Sequence, residues 1–214
     1  MDRLIVEGGK PLRGTVEISG AKNSALPLMA ASLLADSPVT LKGVPSLMDV
    51  DTMMLVLHTI GADVVRQGDD LIIDPANFKV HEAPYNLVRK MRASIYVLGP
   101  MVGRLKKARV SMPGGCVIGR RPIDLHLKGL EALGAEVDVS HGYIVVNNPG
   151  LKGAEFSLAG PNGSSVGATC NTLMAAVTAE GRTVIRGAAR EPEVRDLVDL
   201  LREMGANVEM EDST

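Results

Sequence analysis

The stretch Lys107–Val146, KARVSMPGGCVIGRRPIDLHLKGLEALGAEVDVSHGYIVV, reads as strand, loop, amphipathic helix, Gly-Ala, strand, turn and strand. Its runs ARVSM, AEVDV and YIVV are short and rich in Val and Ile, as strands are. The same order recurs upstream in SPVTLKGVPSLMDVDTMMLVLHTIGADVVRQGDDLII, with strands TLKGV and ADVVR. It recurs downstream in GRTVIRGAAREPEVRDLVDLLREMGANVEM, with a strand at TVIRG. The pairs Gly61-Ala62, Gly134-Ala135 and Gly205-Ala206 mark the three copies about every 72 residues, longer than most solenoid periods.

Local signals support each copy. In the third, Val194, Leu197, Val198, Leu201 and Met204 form one apolar stripe at helical spacing. Pro192 suits the first turn of that helix, and Gly205 suits the left-handed position after its end. Asp49 and Asp124 are the expected N-caps of the other two helices. Further helices are expected around Asn86–Arg104 and Ser165–Ala179, and a strand at TVEIS before Gly20. The unit is then β-α-β-α-β-β, an α/β domain whose sheet and helix layers share a core. After NVEM the third copy lacks the paired strand that closes the other two, and an unpaired last strand leaves an open sheet edge. The chain is therefore expected to be one part of a longer protein.

Composition narrows the function. A chain of 214 residues that is 45% hydrophobic can bury a sizeable core. The formal charge of −2 offers no basic field for nucleic acid, and 2% aromatic residues leave almost no stacking platform for bases. The longest uncharged apolar run, Asn23–Ala35, contains Pro27 and is too short to span a bilayer. Charge appears at once in MDRLIVEGGK, without a signal-peptide core, so a cytoplasmic chain is expected. Cys116 and Cys170 make neither a disulfide framework nor a zinc pattern, and neither metal nor cofactor is expected.

Four stretches can carry chemistry. In ISGAKNS a glycine turn precedes an apolar helix, so Lys22 stands beside helix-start amides that favour an anion; a solvated turn lysine is the alternative. In LVRKMRASIYVLGP, Arg92 reads either as an anion clamp or as a surface arginine with its stem on apolar neighbours. In PGGCVIGRRPID, Gly114, Gly115 and Gly119 permit unusual backbone, and Arg120 and Arg121 favour thiolate at Cys116 if the loop folds them close. Such a glycine loop can also close over a substrate. Ser164–Thr169, SSVGAT, opens a helix with small hydroxyl residues that suit a cap or a phosphate. His126 follows the loop on its helix, and His58 occupies a comparable place in the first copy, which favours a structural role.

Taken in order, SGAKNSALPLMAA, VPSLMDVDTM, APYNLVRKMRAS, PGGCVIGRRPIDLHLKGLEALGA, SSVGAT and AAREPEV resemble the UDP-N-acetylglucosamine 1-carboxyvinyltransferases, enolpyruvyl transferases of peptidoglycan synthesis. The resemblance runs along essentially the whole chain. It implies an inverse α/β barrel of three repeats over residues 21–214, with residues 1–20 packing as strands on a second domain that is absent here. It also implies transfer of enolpyruvyl from phosphoenolpyruvate to the 3-hydroxyl of UDP-N-acetylglucosamine, with release of phosphate. By position in the matching motifs, Cys116 looks like the proton donor and the residue fosfomycin alkylates. Lys22 and Arg121 look like phosphoenolpyruvate ligands, and Asn23 stands at the junction of the substrates. Arg92, the run Arg121, Pro122, Ile123, Asp124 and Leu125, and Ser165, Val166 and Gly167 look like UDP-sugar contacts. The second domain supplies further residues in this family, including an aspartate base, so a second chain or copy is one way to complete the cleft. A non-catalytic half that binds the UDP-sugar or docks to a partner is the alternative. The sister family acting on shikimate 3-phosphate shares the fold but lacks this cysteine loop.

Overall fold

The computed structural model describes residues 3–83, 85–88, 91–112, 123–161 and 163–211. The cysteine loop, with Cys116, Arg120, Arg121 and Pro122, lies outside them. The second copy shows the whole unit. Strand β4 (Glu82–Ala83) pairs parallel with β5 (Lys107–Ser111), and β5 and β6 (Glu136–Ser140) flank β7 (Tyr143–Asn147) antiparallel. Between β4 and β5 run α3 (Tyr85–Val88), a 3₁₀ segment Arg92–Val97, and α4 (Leu98–Leu105); α5 (Asp124–Ala132) precedes β6. The first copy has β1 (Val39–Leu41), β2 (Asp63–Gln67) and β3 (Asp70–Asp74) in the order β1-β3-β2, with α1 (Lys22–Ala31) and α2 (Met48–Thr59). The third pairs β8 (Glu155–Ser157) parallel with β9 (Val184–Arg186) and carries α6 (Val166–Ala176) and α7 (Pro192–Glu203). The β-α-β-α-β-β reading therefore holds in full for the second copy.

Two expected strands do not form. TVEIS makes no ladder where β4 and β8 each make one, and Val16 and Ile18 remain 79% and 87% exposed. Residues 206–211 also form none. A strand needs a neighbour for its N–H and C=O groups, and neither segment has one among the described residues. The caps differ as well. Leu47 and Ile123 occupy the N-cap positions of α2 and α5, which places Asp49 and Asp124 inside the first turns. There they act on the helix dipole rather than as caps. Gly61, Gly134 and Gly205 all have positive φ, at 105°, 91° and 95°, and end their helices as expected.

The helices divide into two sets by sequence. Helices α1, α4 and α6 are made of apolar and small residues, and Met29, Leu98, Met101, Met174 and Ala175 are fully buried. Helices α2, α5 and α7 carry charge on one face and pack against them: α2 and α7 on α1, and α5 on α6. The sheets add a buried row of alternating residues, such as Leu71 and Ile73 in β3 and Ile144 and Val146 in β7. Central helices wrapped by amphipathic helices and sheets invert the usual α/β order, because α1, α4 and α6 are apolar along most of their length and leave little for water to solvate.

Glycine sets how closely the central helices approach. A Cβ at Gly129 of α5 would lie 2.0 Å from Thr172 Oγ1, and one at Gly99 of α4 would lie 2.5 Å from the Asn171 carbonyl oxygen. Neither contact can exist, so α6 would have to move. Gly129→Ala is expected to cost about 1–3 kcal/mol through overpacking, measured by urea unfolding beside the exposed control Gly8→Ala, where a Cβ meets nothing.

Candidate active site

Residues Ser19-Gly20-Ala21 turn the chain into α1, whose N-cap Ala21 makes no side-chain bond. The first amides of α1 therefore lack an intrahelical partner and favour negative charge. Lys22, the first residue of the helix, extends its Nζ to Asp49 Oδ2 at 2.7 Å, which joins the starts of α1 and α2. Both side chains are partly exposed, at 44% and 39%, so the pair holds weakly and can exchange for another anion. An open groove of about 380 Å³ runs between these two turns, lined by Ile18–Gly20 and Gly43–Leu47. Asn23 is exposed on the same first turn.

A second group of predicted residues gathers elsewhere in the chain. Arg92 opens the 3₁₀ segment and is half-buried; Ile123, Asp124 and Leu125 form the entry of α5. Ser165 caps α6, its Oγ accepting from Ala168 N at 3.3 Å, and Val166 and Gly167 begin the helix. These three segments meet at His126, which is 4% exposed. The Asn171 carboxamide lies 2.9 Å from His126 Nδ1 and also binds Ile95 O and Gly99 N. The opposite edge of the ring faces Gly167, where a Cβ would lie 3.0 Å from Cε1 and 3.1 Å from Nε2. Burial pushes the His126 pKa down to about 4, the Arg92 guanidinium lowers it further, and Asp124 opposes them.

Lys22 and Asn23 thus share one helix start, and Arg92, Ile123–Leu125 and Ser165–Gly167 share another locus. Arg121, Pro122 and Cys116 lie outside the described residues, in the loop that joins β5 to the entry of α5. Sequence reasoning missed Asp49, because an acidic residue at a helix start reads first as a cap. It also missed Asn171, whose signal is an amide in the apolar helix VGATCNTLMAA, where a polar side chain needs a partner. The other cysteine, Cys170, is buried on α6; burial, then Glu193 and Glu191, push its pKa up to about 12. Among the described residues no cluster suits a metal ion.

Three related units in which amphipathic helices and sheets wrap central apolar helices make an α/β architecture of inverted layers. The model of the EPSP synthase (3-phosphoshikimate 1-carboxyvinyltransferase) family matches residues 6–214, and the chain belongs to that family. It is 54% identical over 209 residues to the UDP-N-acetylglucosamine 1-carboxyvinyltransferase of Desulfatibacillum aliphaticivorans, covering 98% of this chain and 50% of the relative. The enzyme of the same name from Acinetobacter baylyi is 51% identical over 210 residues, with the same coverage. The chain spans about half the length of the curated relatives it matches. Among solved structures, the enolpyruvyl transferase NikO from Streptomyces tendae aligns with a TM-score of 0.80 at 24% identity, over 94% of this chain and 47% of that one. EPSP synthase from Acinetobacter baumannii aligns at 0.70 and 18% identity, over 92% of this chain and 45% of that one. Both support the fold.

A buried neutral histidine makes stability depend on pH. Unfolded His126 takes up its proton near the ordinary value of about 6.5, whereas the folded ring does so only near 4. Above 6.5 the group is neutral in both states and adds no slope. As pH falls from 6.5 toward 4 the unfolded chain gains a proton that the folded chain refuses, and stability drops. Between pH 7 and 4.5 the wild type should lose roughly 2 kcal/mol more than His126→Asn, by urea unfolding at each pH.

Proposed function

We propose that this chain is the first half of a UDP-N-acetylglucosamine 1-carboxyvinyltransferase, transferring enolpyruvyl from phosphoenolpyruvate to the sugar 3-hydroxyl with release of phosphate. The observation that carries the reading is the gathering of Arg92, Ile123–Leu125 and Ser165–Gly167 around His126, with the PGGCVIGRRPID loop leading directly into that locus. The identity of the chain to relatives of that name supports the choice of acceptor.

The reaction needs a proton delivered to C3 of phosphoenolpyruvate as the hydroxyl oxygen attacks C2. The resulting tetrahedral ketal then loses phosphate and a C3 proton, which restores the double bond. Cys116 supplies the proton and can instead add its sulfur to C2. Arg120 and Arg121 beside it in sequence favour the thiolate left when the thiol gives its proton to C3, and the C3 proton lost in the elimination restores the thiol. Lys22 and Arg121 hold phosphate and carboxylate, and their charge offsets the charge that develops on the leaving group. Lys22 leaves Asp49 to do so, at small cost because the pair is exposed. Asn23 lies between the substrates, and Arg92, Arg121–Leu125 and Ser165–Gly167 bind the UDP-sugar.

The base and the other wall of the cleft come from a second domain. Residues 1–20 belong to the contact with it, which accounts for the exposure of Leu4, Ile5, Val6 and Leu12 at 69–97%. The reaction is the first committed step of peptidoglycan synthesis, in the cytoplasm, and Cys116 is the site of fosfomycin alkylation. No helix among the described residues is long and apolar enough to cross a membrane. A second reading, a half that binds the UDP-sugar without turnover, is favoured by one observation: the chain spans half the length of its relatives.

Phosphate release from phosphoenolpyruvate plus UDP-N-acetylglucosamine separates the readings. The chain joined with the second half of such a relative should release phosphate, and Cys116→Ala should lower the rate at least a hundredfold, the scale of a lost general acid. Release with shikimate 3-phosphate but not with the UDP-sugar would overturn the choice of acceptor. UDP-sugar binding without release in the joined protein would establish the second reading.

A further inference from the structure

Asn171 has an unambiguous orientation. Gly99 N–H is a donor and lies 2.8 Å from one terminal atom of the carboxamide, which must therefore be the oxygen. Ile95 O is an acceptor, 3.0 Å from the other, which must be the NH₂ group. Both assignments agree. The same NH₂ lies 2.9 Å from His126 Nδ1, so Nδ1 must offer a lone pair. The proton of a neutral imidazole then sits on Nε2, the nitrogen beside Gly167.

Four segments meet through these contacts. Gly99 begins α4, Ile95 belongs to the 3₁₀ segment opened by Arg92, His126 lies in the first turn of α5, and Asn171 stands on α6 one turn beyond Gly167. Three of the four carry the residues assigned above to the UDP-sugar. The charged groups acting on the ring are Arg92 and Asp124, and the guanidinium disfavours an imidazolium.

We propose that Asn171 is a positioning residue of the UDP-sugar site, holding His126 as the Nε2–H tautomer and keeping the starts of α5 and α6 in register with Arg92. The positioning role rests on the UDP-sugar reading; the tautomer does not. With its proton on Nε2, the ring presents a donor beside Gly167. That donor suits a phosphate or carbonyl oxygen and repels an N–H. Asn171→Asp reverses this arrangement. One carboxylate oxygen can still accept from Gly99 N–H, but the other faces the Ile95 carbonyl and demands a proton from Nδ1.

The test is long-range ¹H–¹⁵N correlation of the histidine-labelled 214-residue chain, with His126 assigned by its loss in His126→Asn, alongside UDP-N-acetylglucosamine titration of the chain joined with the second half of such a relative. The wild type should show a protonated Nε2 and a bare Nδ1 at pH 7. Asn171→Asp should move the proton to Nδ1 and weaken UDP-N-acetylglucosamine binding at least tenfold, with the far-UV spectrum unchanged. If the aspartate variant does not fold, Asn171→Ser, which removes the carboxamide without adding charge, should give mixed tautomers and weaker binding. A wild-type proton on Nδ1 overturns the tautomer. A swapped proton with binding within twofold of wild type overturns the positioning role. A wild-type joined protein that does not bind UDP-N-acetylglucosamine overturns the site reading and the positioning role with it. The same spectra still decide the tautomer, which separates the two failures.

Discussion

Helix α6 can lie against α4 and α5 because Gly99, Gly103 and Gly129 present no side chain to it. The room they leave is taken by the Asn171 backbone, Thr178 and Thr172 respectively. This close approach decides more than packing. Adjacent residues of α6 point to different neighbours, with Asn171 toward α4 and His126 and Thr172 toward Gly129. A wider separation would take the carboxamide out of reach of Gly99 N–H and of the imidazole at once. Interiors at crystal-like density cannot absorb such a shift locally. The positions of the three segments that meet at His126 follow from this contact, and so does the reach of the Asn171 carboxamide to the imidazole.

The two halves of the candidate site are built differently. Around His126 the Asn171 carboxamide is buried and engages Gly99 N–H, Ile95 O and the imidazole, so its geometry is fixed before any ligand arrives. Around Lys22 the charges are exposed, and Asp49 occupies the ammonium in the meantime. The first arrangement suits recognition of an unchanging nucleotide part. The second suits a reacting anion whose charge moves during the reaction, since a loosely held lysine can follow it. Screening by solvent keeps the exchange inexpensive.

Most of the architecture could be read from the three Gly-Ala marks and the apolar stripes beside them, because a helix end that needs a left-handed residue leaves a fixed signature. The strand TVEIS could not be corrected from sequence. Its alternation is that of a strand, but pairing is a property of neighbours and not of the segment. Asp49 and Asp124 read as caps in the sequence for a related reason: a carboxylate serves a helix start from the cap or from the first turn, and the choice depends on backbone angles. At the candidate site, the placing of Lys22, Arg92 and Ser165–Gly167 at or beside helix starts was legible, because glycine turns and small hydroxyl residues mark where helices begin. Asn171 was not, because its role depends on a residue 45 positions away in sequence and on another 72 away.

The two cysteines divide the chemistry of the chain between them. Cys170 sits inside α6 with no exposed surface, and its proton is held to about pH 12. A thiol that is neither reachable nor ionised is silent toward electrophiles while the fold persists. Thiol reagents acting on the folded chain therefore leave Cys170 unmodified. Modification of Cys170 would announce that the core had opened, so such a reagent doubles as a clock for unfolding.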